Sequence, residues 1–356
     1  MFNKTMKKTN TNNFVCVILA AGKGKRMKSK LAKVLHPICG KSMLFYVIKL
    51  ARSLHPEKIA IIVGRQKEKV IKEFHSPDIA FVEQTKLLGT GDAVKRTKKL
   101  FSNFKGNILI LAGDTPLLQT ETIKKMMHTH TKNHADVTLL STVLDNPTGY
   151  GRIVRENGNV HSIVEEKDAN KKQKLIKEVN AGVYIFKKEK LFYFLKKIKT
   201  DNKQQEYYLT DVIKLIRKSG GNVQALKASD WRETIGVNDR RALAVASEMI
   251  QKTIKNELMV NGVTFISPEA SYVDYDVSIG KDTVIEPFVI IKGKTKIKDN
   301  CHISSFNTIC DSAIGNNVMI NSYCFIRSTR ISNNSIIPAF TILGNEEKNK
   351  KNKENK

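Results

Sequence analysis

The chain has 356 residues, of which 41% are hydrophobic and 27% are charged, and its formal net charge is +27. The length suffices for two domains, and the composition excludes a disordered chain. The chain lacks an apolar run of about 18 residues, and its basic start lacks the apolar centre of a secretion signal. We therefore predict a cytoplasmic protein without a membrane partner.

The positive charge by itself would favour nucleic acid or another polyanion as a partner. Most of the excess is lysine on predicted helix faces, where lysine is usually solvated, so we predict no nucleic-acid partner. One asymmetry remains, because no acidic residue precedes Glu57. The start of the chain would therefore attract a phosphate ligand. The five cysteines form no Cys-x-x-Cys pair, which indicates reduced thiols.

The first predicted strand, Val15–Ala20, leads into a basic loop with glycines at positions 22 and 24. These glycines let the backbone approach a ligand, and six lysine and arginine side chains lie between positions 23 and 33. A P-loop is excluded because Gly24, not Ser or Thr, follows Gly22-Lys23. A dinucleotide fingerprint is excluded because Met27 stands at the place of its third glycine. The loop is predicted to bind phosphates, and an ordinary surface loop is the alternative.

Short β-type runs alternate with amphipathic helical runs from Phe14 to Val143. The predicted strands are Val15–Ala20, Lys58–Val63, Ile79–Val82, Asn107–Leu111 and Asp136–Val143, and the predicted helices are Ser42–Leu54, Lys67–Phe74, Gly91–Leu100 and Thr120–Thr129. This alternation predicts a mostly parallel sheet with helices on both faces. Ligands bind such sheets beyond the carboxyl ends of the strands, where Gly22 and Asp114 would lie.

Asp114 follows a predicted strand and is a candidate metal ligand. It could instead cap the helix that begins near Thr120, but it lies six residues too early. A carboxylate that faces a phosphate loop suits Mg²⁺, which prefers one or two carboxylates together with phosphate oxygens and water. The Gly89-Thr90-Gly91 segment is a weaker signal, because such a sequence also serves as an ordinary helix start.

The sequence pattern alone does not decide the roles of two polar residues further along the chain. The predicted elements there are a hairpin within Pro147–Glu166 with its turn at 156–158, a strand at Glu178–Phe186, and helices at Glu189–Lys197, Leu209–Lys218 and Arg241–Asn256. Asn180 in the strand fits a structural role as well as a binding role. Asn238 precedes the last helix, where it could be an N-cap or bind a ligand.

The pattern changes near Ile266 to a six-residue repeat of isoleucine. The repeated positions are 279, 285, 291, 297, 303 and 309, then, after single-residue slips, 314, 320 and 326, and 331 and 337, with Leu343 last. Small or β-branched residues stand four positions after many of them, as at Thr283 and Cys301. The repeat predicts a left-handed parallel β-helix of roughly four coils, with each isoleucine inside the prism.

The motifs of the first domain occur in a specific order: LAAGKGKRM, LAKVL, LGTGDA, AGDTPLL, NPTGYGRIV, EYYLTD and GVNDR. With the hexapeptide repeats that follow, the chain resembles the bifunctional N-acetylglucosamine-1-phosphate uridyltransferase/glucosamine-1-phosphate acetyltransferase family from about Val15 to Leu343. The resemblance implies an α/β fold, a Rossmann-like nucleotidyltransferase domain with a mostly parallel sheet followed by a short left-handed parallel β-helix. It implies synthesis of UDP-N-acetylglucosamine, a peptidoglycan precursor, and pyrophosphate from UTP and N-acetylglucosamine 1-phosphate.

The resemblance and the composition together predict the domain boundaries. The predicted segments are a disordered basic N-terminus (1–13), the nucleotidyltransferase domain (14–239), a linker helix (240–257), the β-helix (258–344) and a disordered tail (345–356). The resemblance also implies a homotrimer through the β-helix.

The resemblance implies a role for each residue at a matching position. Leu19, Ala20, Ala21 and Gly22 would hold the nucleotide, Arg26 and Lys33 its phosphates, and Gln84, Gly89 and Thr90 the uracil. Ala112 and Gly113 would line the substrate site, Gly149, Glu165 and Asn180 would bind the amino sugar, and Asp114 with Asn238 would hold the Mg²⁺ cofactor. Because the sugar phosphate attacks the α-phosphorus directly, no protein nucleophile is needed. Arg26 and Lys33 are the predicted catalytic residues, and they would act through their charge.

Three positions depart from the family pattern and leave base and sugar selectivity open. Leu87 stands where a second glutamine is frequent, Ala112 replaces a frequent aromatic residue, and Ala181 replaces a frequent threonine. The repeat ends near Leu343, before the coils that carry the family's acetyltransferase site, so we expect no acetyltransferase activity. His302, the only histidine of the repeat, is predicted to be a solvent-exposed side chain rather than an acetyl-transfer base.

Two other functions fit part of the sequence. The first is a related sugar-1-phosphate nucleotidyltransferase with another base or sugar. The second is a non-catalytic protein that binds polyanions, which the net charge suggests. The joint presence of Arg26, Lys33, Asp114 and Asn238 argues against the second.

Overall fold

The computed structural model describes residues 13–64 and 66–344, so the predicted disordered segments, apart from Asn13 itself, lie outside the described residues. The chain forms two compact units. Among the described residues, the first comprises Asn13–His36 together with Ser42–Ala242, and the second comprises Pro37–Lys41 and Leu243–Gly344. Within the described part of the chain, no helix combines the length and the apolarity needed to cross a membrane.

The elements before the repeat follow one another in α/β order. The strands are β1 (Phe14–Leu19), β2 (Pro37–Ile38), β3 (Lys41–Ser42), β4 (Ile59–Val63), β5 (Ile79–Glu83), β6 (Asn107–Ala112), β7 (Val137–Val143), β8 (Arg152–Glu156), β9 (Asn159–Val164), β10 (Glu178–Lys187) and β11 (Val223–Lys227). The helices are α1 (Met43–Ser53), α2 (Lys67–Phe74), α3 (Thr90–Lys95), α4 (Thr120–Lys132), α5 (Lys171–Lys174), α6 (Lys188–Phe194), α7 (Thr210–Lys218) and α8 (Arg240–Val260).

A mostly parallel sheet is the centre of the first unit, as predicted. Its strand order is β11-β7-β10-β6-β1-β4-β5, with β8 and β9 attached beside β10. Only β10 runs antiparallel to its neighbours β6 and β7 along this order. Alternate residues of β1 enter two different apolar clusters, Cys16 and Ile18 with α1, and Val15 and Val17 with α7. Both faces of the sheet are therefore covered, which leaves the carboxyl ends of the strands for a ligand.

The predicted strands of this sheet end within one residue of the observed bounds, and α2 has the predicted bounds. The predicted helix Gly91–Leu100 is wrong in its second half. The α-helix ends at Lys95 and continues as a 3-10 turn over Arg96–Lys98, where the Thr97 hydroxyl donates a hydrogen bond to the Val94 carbonyl, 2.8 Å away. Such side-chain bonds to the preceding turn compete with regular helix geometry. Helix α5 and strand β11 were not predicted from the sequence.

The second unit carries the predicted β-helix. Its strands are β12 (Thr264–Phe265), β13 (Tyr272–Val273), β14 (Ser278–Ile279), β15 (Val284–Ile285), β16 (Ile290–Lys292), β17 (Lys296–Ile297), β18 (His302–Ile303), β19 (Thr308–Cys310), β20 (Ala313–Ile314), β21 (Met319–Ile320), β22 (Phe325–Arg327), β23 (Arg330–Ile331), β24 (Ile336–Ile337) and β25 (Ile342–Leu343). They form three parallel sheets of five, five and four strands. The stack therefore holds four full coils and two strands of a fifth, with the repeated isoleucines from Ile279 to Ile331 buried inside.

The single-residue slips in the repeat change the length of a coil. Ile285 pairs with Ile303, eighteen residues later, whereas Ile303 pairs with Ile320, seventeen residues later. The shorter coil keeps each isoleucine above the preceding one, so the core of the prism stays continuous across the slip.

Candidate functional site

A cleft of about 650 Å³ lies in the first unit at the carboxyl ends of β1 and β6. Nine of the predicted site residues line it: Leu19, Ala21, Gly22, Lys33, Gln84, Gly89, Thr90, Ala112 and Asp114. The cleft is also lined by Lys167, Lys203, Gln204 and Glu206, which were not predicted to belong to the site. One cavity thus gathers residues from the glycine loop, the segment before α3 and the end of β6.

The glycine loop after β1 is fixed by backbone hydrogen bonds to the neighbouring strand ends and has open space at Gly22. The Gly113 amide donates to the Leu19 carbonyl at 2.9 Å, and the Ala20 amide donates to the Ile62 carbonyl at 3.0 Å. A Cβ atom on Gly24, whose φ is +58°, would lie 2.7 Å from the Lys33 Cβ, so this position requires glycine. A Cβ atom on Gly22 would meet nothing within 4 Å. The space above Gly22 is therefore free for a ligand.

Lys33, Asp114 and Asn238 meet at one edge of the cleft although they are far apart in the sequence. The Lys33 ammonium forms an ion pair with Asp114 and donates a hydrogen bond to Asn238 Oδ1, 3.1 Å away. The Val237 amide donates to the Asp114 carbonyl at 2.8 Å, which fixes the loop of Asn238 beside the end of β6. The predicted metal ligands and one predicted phosphate ligand thus occupy the same corner.

The residues of this corner fit a magnesium ion. A carboxylate oxygen and an amide oxygen converge on one point, and a positively charged group, the Lys33 ammonium, already sits there. Mg²⁺ accepts such hard oxygen ligands and completes its shell with water and phosphate oxygens. No group of three or more His, Cys, Asp or Glu side chains able to hold a metal is found within residues 13–64 and 66–344. The phosphates of a substrate would therefore have to supply part of the shell.

The N-cap alternative for Asn238 is excluded by the neighbouring residue. The Asp239 carboxylate accepts a hydrogen bond from the Ala242 amide at 2.9 Å, which is the contact of a helix cap. This bond holds the pKa of Asp239 below its usual range. The side chain of Asn238 is thereby left to face Lys33.

Gln84 is buried in the wall of the cleft with its amide orientation fixed. Its Nε2 donates to the Gly89 carbonyl at 3.0 Å and to Asp92 Oδ2 at 2.9 Å. Both partners are acceptors, so the amide oxygen must be the atom that points elsewhere. Among the described residues this oxygen has no partner, and it can accept a hydrogen bond from a ligand in the cleft.

The Gly89-Thr90-Gly91 segment packs against the chain before α7. A Cβ atom on Gly89, whose φ is +106°, would lie 2.5 Å from the Tyr207 carbonyl oxygen. The Gly91 amide donates to that same carbonyl at 2.8 Å, and Thr90 Oγ1 accepts from the Leu209 amide at 3.1 Å. The segment is thus more than an ordinary helix start, because glycine at position 89 is needed for this close packing.

A second group of predicted residues surrounds Asn180 at a bulge in β10. The side-chain nitrogen Nδ2 of Asn180 donates to the Tyr184 hydroxyl at 2.6 Å, and the side-chain oxygen Oδ1 accepts from the Gly182 backbone amide at 3.1 Å. Thr210 Oγ1 donates to Glu165 at 3.0 Å, and burial raises the pKa of Glu165. Burial, together with the negative charge of Glu165, raises the pKa of Tyr184. Tyr184, which was not predicted from the sequence, thus hydrogen-bonds Asn180 and lies within reach of the charge of Glu165.

The structure brings Gly151, rather than the predicted Gly149, to this group. The Gly151 carbonyl accepts from the Asn180 backbone amide at 2.9 Å, and a Cβ atom at Gly151 would lie 3.3 Å from a carboxylate oxygen of Glu165. Gly149 instead donates its amide to Glu166 at 3.2 Å. Both glycines belong to the same Gly-Tyr-Gly triplet, so the sequence signal was present but did not distinguish them.

Arg26 lies in the 3-10 turn Lys25–Met27 and is exposed. It is not among the described residues that line the cleft. Burial raises the pKa of Tyr150, and the charge of Arg26 opposes that rise; a hydrogen bond from the Ala242 amide lowers the pKa of Asp239, and the charge of Arg26 adds to that lowering. The side chain therefore lies near the corner of the metal ligands without contacting them.

Comparison with known proteins agrees with this architecture. Residues 15–261 match the nucleotidyl transferase family, and residues 276–311 match the bacterial transferase hexapeptide repeats. The chain is 47% identical over 328 residues to the bifunctional protein GlmU of Lactobacillus johnsonii, a match that covers 92% of this chain and 71% of that protein.

Two further relatives carry the same name. The bifunctional protein GlmU of Caldanaerobacter subterraneus is 44% identical over 92% of this chain and 71% of its own length. That of Listeria monocytogenes is 45% identical over 88% of this chain and 68% of its own length. The chain therefore belongs to the GlmU family, with a nucleotidyltransferase domain followed by hexapeptide repeats.

Proposed function

We propose that the first unit transfers a uridylyl group from UTP to N-acetylglucosamine 1-phosphate and releases pyrophosphate. The observation that carries the proposal is the single cleft that joins the open glycine loop to the corner of Lys33, Asp114 and Asn238. A nucleoside triphosphate laid across the glycine loop would have its phosphates at that corner. The membership of the family supports the choice of substrates.

The walls of the cleft suggest how the base is recognised. The amide oxygen of Gln84 accepts the N3–H of uracil, and the orientation of this amide is fixed by its bonds to Gly89 and Asp92. The base lies against Leu87 and Thr90, which also line the cleft. A cytosine ring has no N3–H donor, so the same oxygen would disfavour CTP.

The sugar phosphate binds at the group around Asn180. Glu165 and the side-chain amide of Asn180 hydrogen-bond the hydroxyl and acetamido groups of the sugar, and the Gly151 backbone packs beside Glu165.

Charge neutralisation provides the catalysis, since the phosphate of the sugar is itself the nucleophile. Asp114 and Asn238 would hold a magnesium ion, which neutralises charge on the phosphates when it is bound. Lys33 and Arg26 donate hydrogen bonds to the phosphate oxygens of the leaving group as negative charge shifts toward it. Pyrophosphate then leaves past the open side of the glycine loop.

A substrate panel tests the proposal. Pyrophosphate release is measured with four nucleoside triphosphates and several sugar 1-phosphates, with Mg²⁺ and with a chelator. We expect release with UTP and N-acetylglucosamine 1-phosphate and its loss with the chelator. Preference for another pair would establish the related nucleotidyltransferase instead, and release that is independent of the metal would contradict the assignment of Asp114 and Asn238.

We also propose that the second unit assembles a homotrimer, since hexapeptide repeats indicate oligomerisation. Four exposed rings, Phe288, Phe306, Tyr323 and Phe340, stack in one column with centroids 5.0, 5.0 and 5.2 Å apart. A contiguous column of exposed apolar side chains marks an interaction site. Light scattering should give the mass of three chains, and Phe306→Lys should lower it. A monomeric wild-type protein would contradict the proposal.

The absence of acetyltransferase activity stays a prediction, and so does the cytoplasmic location. His302, which is half-exposed, contacts Glu286 through Nε2 at 2.8 Å. Acetylation of glucosamine 1-phosphate by the purified protein with acetyl-CoA would contradict the first prediction.

A further inference from the structure

Arg152 is a buried charge that the proposed reaction does not use. It lies at the start of β8 and is only 2% exposed, and it is among the largest fully buried side chains of the chain. A buried guanidinium destabilises a fold unless it is paired and hydrogen-bonded. Glu166 provides the pair, with Nη2 and Oε2 2.6 Å apart, and the Tyr150 carbonyl accepts a bond from Nη1. Nε is buried without a partner among the described residues.

This ion pair holds both sides of one short loop. Glu166 accepts a hydrogen bond from the Gly149 amide at 3.2 Å, while Arg152 binds the carbonyl of Tyr150. The amide of one loop residue and the carbonyl of the next are thus fixed by the same pair. Gly149 has a φ of +88°, a backbone conformation that glycine adopts readily and other residues rarely do.

The loop lies between the two halves of the proposed site. Gly151, the next residue, contacts the Asn180 amide and packs beside Glu165, which directly precedes Glu166 in the chain. Tyr150 lies on the other side. Burial raises the pKa of its hydroxyl, and the Gly236 backbone and the charges of Asp114 and Arg26 also act on that pKa. A shift of the loop would directly displace Gly151 from its contacts with Asn180 and Glu165 in the sugar subsite.

We infer that Arg152 and Glu166 are positioning residues that set the affinity for the sugar phosphate by fixing Gly149–Gly151. The inference rests on the proposed function for the identity of the substrate. Neither side chain needs to touch the substrate. Their effect passes through the backbone of Gly151, which the ion pair places against Asn180 and Glu165.

The same strand offers a matched control. Arg155, also on β8, forms an ion pair with Glu178 in which Nε and Oε2 are 2.7 Å apart. Its Nη2 also donates to Glu178 Oε1 at 2.8 Å, and its Nη1 donates to the Gly158 carbonyl at 2.8 Å, in the hairpin turn. This pair has the same chemistry as the first but holds a turn rather than the loop of the site.

The test compares Glu166→Ala, Glu166→Gln and Arg152→Met with Arg155→Met in steady-state kinetics. Glu166→Ala should raise the KM for N-acetylglucosamine 1-phosphate by about tenfold or more, the effect of losing roughly one charge-assisted hydrogen bond. The KM for UTP should change by less than about twofold, and Arg155→Met should leave both KM values within about twofold. Glu166→Gln keeps an acceptor for Gly149 and should restore most of the affinity. A general loss of stability would not separate the two KM values in this way.

Glu166 is partly exposed, so Glu166→Ala decides the question even if Arg152→Met fails to fold. A folded Glu166→Ala protein with an unchanged KM for the sugar phosphate would overturn the inference, and so would an equal rise in both KM values. These outcomes differ from failure of the proposed function, in which the wild-type protein itself would not use the substrate pair.

Discussion

Lys33 occupies the point toward which Asp114 and Asn238 direct their oxygens. A metal ion and an ammonium compete for the position between these oxygens, because like charges repel. We therefore expect Lys33→Met to bind Mn²⁺ roughly tenfold more tightly than the wild-type protein in the absence of nucleotide, since a charge-assisted hydrogen bond no longer has to be broken.

Electron paramagnetic resonance of free Mn²⁺ measures this affinity without any turnover. Lys23→Met is the matched control, because it removes an exposed lysine of the same cleft that holds neither oxygen. Equal Mn²⁺ affinity for both variants would mean that only the general charge of the cleft matters. Loss of binding in Asp114→Asn is expected in every case.

Arg26 is the residue for which we expect the largest effect on turnover. A guanidinium can donate to two phosphate oxygens, and removal of one preorganised donor costs about a hundredfold. Arg26→Ala should therefore lower kcat by at least about a hundredfold, while Lys28→Ala, an exposed neighbour, should have little effect. Near-normal turnover of Arg26→Ala would show that this side chain is not a catalytic residue.

His130 makes the stability of the protein depend on pH. Burial lowers its pKa from 6.5 to about 4, and its ring nitrogens contact Thr138 at 2.9 Å and Asn107 at 3.3 Å. Between pH 4 and pH 6.5 the unfolded chain binds more protons at this histidine than the folded protein does. The stabilisation from the neutral ring is therefore complete above about pH 6.5 and is lost as the pH falls toward 4. The loss amounts to about 3 kcal/mol.

Urea unfolding of the wild-type protein and of His130→Gln between pH 7 and pH 4 checks this prediction. The difference in unfolding free energy between the two proteins should shrink as the pH falls, because the glutamine does not titrate. A difference that stays constant over this range would show that His130 does not carry the effect.

Gly89 and Gly22 both line the cleft but differ in the space that a side chain would find there. A side chain at Gly89 would collide with the Tyr207 carbonyl, whereas one at Gly22 would enter open space. Gly89→Ala should therefore lower the unfolding free energy by more than about 1 kcal/mol. Gly22→Ala should leave it nearly unchanged and weaken UTP binding instead. Thermal unfolding and nucleotide titration separate the two effects, and equal melting temperatures would contradict the packing argument.

The sheet of the first unit was predictable because its inner strands are buried on both faces. Strands such as Ile59–Val63 are continuous apolar runs, which a soluble chain can place only inside a covered sheet. The strand β11 (Val223–Lys227) was missed because only its first residue is buried, so its pattern carries little signal. The β-helix was predictable for a different reason, since its repeated isoleucines all fill one prism.

The site was predictable only where a motif lies on one continuous segment. The meeting of Lys33, Asp114 and Asn238 depends on strand order, which the sequence implied only through the resemblance. The role of Gly151 depends on the pairing of β8 with β10, which no local pattern reports.

The place of Pro37–Lys41 in the fold was also not predicted from the sequence. It belongs to the second unit, where the Cys39 carbonyl accepts from the Tyr275 amide at 2.9 Å.

The net charge of +27 belongs to the whole chain, and a binding experiment can distinguish its effect from that of the cleft. We expect the protein to retain nucleic acid at low salt and to release it near physiological salt, because counterion release makes such binding fall steeply with ionic strength. Uridylyl transfer should depend on salt much less. Fluorescence anisotropy with a labelled duplex over a salt series measures the first, and tight binding at high salt would favour the polyanion-binding alternative.

The column of stacked rings gives the second unit an optical property of its own. Successive rings from Phe288 to Phe340 are parallel within 12° and include a single tyrosine, Tyr323. The only tryptophan of the chain, Trp231, lies in the first unit. Coupled ring transitions in near-ultraviolet circular dichroism would therefore report the loss of the coils, while tryptophan fluorescence reports the loss of the nucleotidyltransferase fold. One denaturation experiment can thus follow each unit by its own signal.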